Sequence, residues 1–141
     1  MKNKRLMGII GLIAAAVIGT AIYSATAGKD NKAASSNGKA KVGVLQLVSH
    51  PSLDLIYKGI QDGLAEEGYD KDKVDIDFLN AEGDQNKVAT MSKQLVDKDN
   101  QVLIGIATPS AQGLASATKD KPIVMGAITD PVGAKLVKDL K

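Results

Sequence analysis

Beyond residue 41 the apolar positions follow two rhythms in turn. Val42-Gly43-Val44-Leu45-Gln46-Leu47-Val48 is nearly continuous in apolar residues, the pattern of a strand covered on both faces. Leu53, Ile56, Ile60 and Leu64 then recur at steps of three and four while Lys58, Asp62 and Glu66 face away, which predicts an amphipathic helix closed near Gly68. Val74-Asp75-Ile76-Asp77-Phe78 alternates apolar and acidic, the mark of a strand with one covered and one wet face, and so belongs at a sheet edge. Asp84 is placed to cap a second helix with Val88, Met91 and Leu95 as its buried stripe, and Val102–Ala107 is the next buried strand. A small-sided third helix carries Ala111, Leu114, Ala115 and Thr118. Pro122 opens the wholly apolar strand Ile123–Ile128, and Leu136, Val137 and Leu140 stripe a last helix.

Strands separated by single helices require right-handed crossovers, so the fold class is α/β, a three-layer open parallel sheet flanked by helices. With the wet second strand at one edge, the order is 2-1-3-4 and the switch point lies between strands one and three. The turns after strands one, three and four then share one rim: Ser49 and His50, Thr108 to Ala111, and Thr129 with Asp130. Ligands bind along that carboxyl edge in open parallel sheets. The third junction, Ile104 to Gln112, runs from an apolar strand into a hydroxyl-bearing turn that opens a helix, a seat for a carboxylate or another anion. Gly105 and Gly126 inside strands are read as relief for a bulky helix side chain. Ser52 and Ser110 also suit plain helix capping, Asp130 before Pro131 suits a turn start, and His50 before Pro51 is held extended and suits a place lining the rim.

The fourth strand would be an exposed apolar edge in this order, which natural proteins avoid. The sequence stops at Lys141 without a fifth strand, so the chain is expected to be the front portion of a longer protein. Residues 1–27 read differently: Lys2, Lys4 and Arg5, the apolar run Leu6–Tyr23 and Ala25-Thr26-Ala27 form an export signal, or an anchor if the run is retained, and either places the remainder outside the cytoplasm. Residues 28–41 lack apolar periodicity and read as a flexible tether, leaving 42–141 as the domain.

Charge and composition narrow the chemistry. The net charge of +2 is concentrated ahead of the domain, which from Val42 onward holds eleven Lys against fifteen Asp plus Glu, a net of −4. An acidic domain with few aromatics is not expected to bind nucleic acid. Cysteine is absent, so neither a disulfide nor a lipid-anchoring cysteine is available. The single histidine cannot form a multi-histidine metal site, Asn80–Asp84 lacks calcium-loop spacing, and no phosphate-cradling glycine motif follows a strand, so neither metal nor cofactor is expected. His50, Asp54 and Ser110 could be arranged as acid, base and nucleophile, yet Ser110 lacks the G-x-S-x-G setting, and no enzyme is expected.

Val44-Leu45-Gln46 with His50-Pro51, Asp54, Gly59, Asp62-Gly63-Leu64 and Gly68-Tyr69 resembles the opening of the substrate-binding proteins of ABC importers, tryptophan/tyrosine type. Asn80-Ala81-Glu82-Gly83-Asp84, Ile106 through Gln112, and Val124 through Val132 continue the match in order across Lys41–Lys141. The resemblance implies the first lobe of a type I periplasmic-binding fold, without its second lobe. It implies a monomeric solute-capture protein that closes on an amino acid, aromatic by type, and presents it to a membrane permease. Carried over, the pocket takes Ser49, His50, Thr108, Ser110, Ala111, Thr129 and Asp130, with Asn80 and Asp84 behind them. The start of the third helix at Ser110-Ala111 would meet the α-carboxylate and Asp130 an ammonium. A membrane-anchored ligand-sensing module is the alternative, since nothing after Val42 separates the two.

Overall fold

The computed structural model describes residues 38–140. Strands β1 (Ala40–Gln46), β2 (Val74–Asn80), β3 (Val102–Ile106) and β4 (Ile123–Gly126) alternate with helices α1 (Pro51–Glu66), α2 (Gln85–Asp97) and α3 (Thr108–Ala117). All strand pairings are parallel and the order is β2-β1-β3-β4, as the wet second strand predicts. Register runs Val44 beside Phe78 on one flank and Ile104 on the other, with Ile104 in turn beside Val124.

The sheet separates two apolar layers. Val42, Val44, Val74, Ile104 and Ile106 face α1, where Leu53, Ile56, Tyr57 and Ile60 cover them. Leu45, Leu103, Val88, Leu95 and Leu114 fill the other layer under α2 and α3. Tyr57 and Phe78 stack with ring centroids 4.2 Å apart, closing the α1 layer toward the β2 edge. On the opposite face of β2, Asp75 is exposed and Asp77 pairs with Lys98, at the end of α2, at 2.8 Å.

Helix ends follow local chemistry. Asp84 caps α2 by accepting from Asn86 N at 2.7 Å and Lys87 N at 3.4 Å. Helix α1 closes where Gly68, at φ 86, lets its own N–H reach Ala65 O and that of Tyr69 reach Leu64 O, the paired pattern that ends helices at a left-handed residue. Its start differs from the expectation: His50 rather than Ser52 is the cap, with Nδ1 accepting from Ser52 N.

The last expected helix is not formed. After Pro131 the chain makes one turn, Ala134 N to Asp130 O, and then Lys135 enters the left-handed region at φ 59. Lys135 N bonds Val132 O and Leu136 N bonds Pro131 O, so the same closing pattern stops the turn before Leu136, Val137 and Leu140 can form a stripe. Strands β1 and β4 also end earlier than their apolar runs, at Gln46 and Gly126. Leu47 O is taken by Gly83 N, and Ala127 turns to φ 56. As expected, β4 forms an apolar edge, with Val124 and Met125 exposed. The expected signal and most of the tether, residues 1–37, lie outside the described residues, among which no helix is long and apolar enough to cross a membrane.

Candidate functional site

Because β1 and β3 are neighbours, the turns after them leave the same edge side by side, with Leu47 N bonding Ile106 O at 3.3 Å. The β1–α1 turn is held by a buried amide. Gln46, fully buried at the last position of β1, donates from Nε2 to Val48 O at 2.9 Å and to Asp54 Oδ1 at 2.7 Å, binding the turn to the first turn of α1. Its Oε1 has no partner among the described residues, and the amide cannot be reversed without setting oxygen against both of those acceptors. This clamp leaves Ser49 and His50 exposed on the rim. Sequence reasoning assigned Gln46 no role, although a lone amide in an otherwise apolar buried strand is the signal that marks it.

From the second strand, Asn80 reaches across the same edge. Its Nδ2 donates to Ser49 Oγ at 2.8 Å while its Oδ1 accepts from Glu82 N at 2.8 Å. Asp84 commits its Oδ1 to capping α2. Glu82 pairs with Lys87, and that contact raises the Lys87 ammonium above its ordinary range.

Helix α3 begins at Thr108, two residues before the expected start, and is capped by Ala107 at φ 77 without any side-chain bond. Pro109 in its first turn has no N–H, so Thr108 and Ser110 supply the free backbone donors that a helix start leaves unpaired. Ser110 is therefore no cap. It is fully buried, and its Oγ has no hydrogen-bond partner among the described residues. Ala111 is also fully buried, its N–H taken by Ala107 O at 3.2 Å. Both form the base of the turn, while Thr108 is half-buried above them.

Gly105 explains how this helix start comes so close to the sheet. A Cβ there would lie 2.6 Å from Ala111 Cα and 2.7 Å from Ala111 N, so the glycine admits helix backbone rather than the bulky side chain expected. Gly126 is different, since a Cβ there would meet only ordinary contacts, Ile56 Cγ2 at 3.5 Å being the nearest.

The turn after β4 hangs beside the one after β3, with Ala107 N bonded to Gly126 O at 2.9 Å. Thr129 and Asp130 are exposed there, and Asp130 accepts from Gly133 N at 2.8 Å through Oδ1, the turn-starting use its position before proline suggested. The turns after β1 and β3 thus share an edge with Asn80 behind Ser49, while Asp84 and Asp130 each commit Oδ1 to a local turn. Among the described residues, no three His, Cys, Asp or Glu side chains are grouped to hold a metal ion.

Comparison with known proteins places this architecture. A Clostridioides difficile tyrosine-binding protein is 40% identical over 149 residues, covering all of this chain and 42% of that protein. The structure of the ABC domain from Streptococcus pneumonia in complex with L-Trp is 77% identical, with a TM-score of 0.72 over 73% of this chain and 35% of that one. The ligand-free, open form of a Clostridium difficile substrate-binding protein with adhesive properties is 40% identical, with a TM-score of 0.70 over 72% and 35%. The chain thus spans about two-fifths of the length of the curated relative, and its fold is one lobe of the type I periplasmic-binding architecture. The model of the ABC transporter substrate-binding proteins, a family of binding proteins rather than enzymes, matches residues 41–141, and the chain belongs to that family.

Proposed function

We propose that this chain supplies the ligand-facing first lobe of an extracytoplasmic solute-binding component of an ABC importer, taking an amino acid with an aromatic side chain. The observation that carries the reading is the pairing of two turns at the switch point. Ser49 and His50 stand beside a helix start whose half-buried Thr108 has its N–H left free by helix geometry. That combination suits an α-carboxylate, and relatives that bind tyrosine or L-Trp support the aromatic assignment. Thr129 and Asp130 at the neighbouring turn offer an acceptor for the ammonium, through the Asp130 oxygen not bonded to Gly133. Residues 1–27 serve as export signal or anchor and 28–41 as tether, so the lobe meets its ligand outside the cytoplasm and hands it to a membrane permease as a monomer.

Titration of the isotopically labelled chain with each of the twenty amino acids, followed by NMR, tests this. L-tryptophan or L-tyrosine should shift the amide signals of Ser49, His50, Thr108 and Ser110 ahead of signals elsewhere. A chain whose rim signals respond to none of the twenty refutes the assignment.

A further inference from the structure

The hydrogen-bond partners on this rim fix which way its polar groups can act. A backbone N–H only donates, so the Asn80 atom facing Glu82 N at 2.8 Å is the carbonyl oxygen. The other end of that amide is therefore NH₂, and it donates to Ser49 Oγ at 2.8 Å. With its oxygen already accepting, Ser49 is left to direct its hydroxyl proton away from Asn80. The same logic holds next door: Ser52 N–H donates to His50 Nδ1 at 3.2 Å, so in the neutral ring the proton sits on Nε2.

We infer that Asn80 is a positioning residue for ligand selectivity: through its amide it holds the Ser49 hydroxyl as an outward donor, so that with His50 Nε2–H the turn accepts a carboxylate and disfavours a ligand group that must itself donate. This deepens the binding function proposed above and rests on it. Asn80 does not touch the ligand in this account. It acts through Ser49, and its reach from β2 explains why an amide ends an otherwise acidic and apolar edge strand.

Asn80→Asp is the informative variant because it keeps the shape and the bond from Glu82 N while replacing the NH₂ donor with an acceptor. The Ser49 proton then turns toward residue 80, and its lone pairs face outward. The probes are L-tryptophan and L-tryptophan amide, titrated by NMR against the full chain, with the same substitution repeated in a Ser49→Ala background. Direct repulsion between the new carboxylate and the ligand's acts in both backgrounds, so the difference between them isolates the part transmitted by Ser49. With Ser49 present, N80D should lower the preference for L-tryptophan over its amide by about tenfold beyond any change in the S49A background, the scale of one hydrogen bond to a charged group. His50, as the only histidine, should show the Nε2–H tautomer in its imidazole nitrogen signals.

Equal changes in both backgrounds, or an Nδ1–H tautomer, overturn the inference while leaving amino-acid binding intact. A wild-type chain that responds to neither probe nor any other amino acid overturns the binding function and this inference together.

Discussion

Replacing Gly105 by alanine should destabilise the lobe and displace its candidate anion seat in one stroke. The new Cβ would stand 2.6 Å from Ala111 Cα, 2.7 Å from Ala111 N and 3.0 Å from Ala111 Cβ. Carbon atoms rest about 3.5–4.0 Å apart, so helix α3 must retreat by about an ångström, and the obstructing atoms are backbone that no rotamer change can move. Overpacking of this kind costs about 1–3 kcal/mol, offset by about 0.4–1 kcal/mol from the reduced freedom of the unfolded chain. A net loss of about 1–2 kcal/mol lowers the melting temperature by about 10 °C in a domain of this size.

Gly59 provides the control of opposite sign. It lies in the interior of α1 with nothing within 4 Å of a Cβ, so Gly59→Ala should stabilise by about 0.5–1 kcal/mol. Urea unfolding followed by circular dichroism measures both, and the amide shifts of Thr108 and Ser110 should move in G105A alone. A G105A chain as stable as its parent, or the two substitutions changing stability in the same direction, would refute the close-approach argument.

Three further outcomes are expected. Asp84→Ala removes both bonds to the first turn of α2 and should lower stability by about 1 kcal/mol in the same unfolding assay, with Asp84→Ser recovering most of it. Asn100 is buried and donates to Leu95 O at 2.9 Å near the end of α2, so Asn100→Ala should cost about 1–3 kcal/mol by leaving that carbonyl unpaired, and its Leu95–Asn100 amides should lose hydrogen-exchange protection. Burial raises the Tyr57 phenol above its ordinary 10.0. The folded state then holds that proton more tightly, so the contribution to stability is complete below the unfolded value and fades as pH climbs through the folded one. Ultraviolet titration should show a phenolate step on the alkaline side of free tyrosine that disappears in Tyr57→Phe, and a step at or below the ordinary value would contradict it.

The layers and their order were legible because they depend on period and burial. The alternation in Val74–Phe78 alone sent β2 to the edge, and the 2-1-3-4 order followed. The stripe on α2 was equally readable, since Val88 and Leu95 are buried at the spacing that places them on one face. What escaped was decided by backbone geometry that residue type only weakly encodes. Lys135 in the left-handed region ends a turn where an apolar stripe at Leu136, Val137 and Leu140 argued for a helix, and lysine gives none of the warning that glycine would. Helix α3 starts at Thr108 because Ala107 adopts φ 77, so the hydroxyl that resembled a cap is buried two residues inside.

Site chemistry was harder to read for a related reason: a polar residue has to satisfy the local chain before it can serve a ligand. Asp84 and Asp130 looked alike in sequence as carboxylates near the rim, but one caps a helix and the other closes its own turn through Oδ1. Subtracting such duties leaves a different list from the one residue types suggest. Ser49 O–H remains after Asn80 has supplied its oxygen with a proton, His50 Nε2 remains after Nδ1 has taken Ser52 N–H, and the backbone of Thr108 remains at the helix start. At the turns after β1 and β3 these leftovers are donors, whereas the second oxygen of Asp130, after β4, is an acceptor. On the function proposed above, that local donor polarity, more than any single conspicuous side chain, is what suits these two turns to a carboxylate, with the second Asp130 oxygen left as the acceptor for an ammonium.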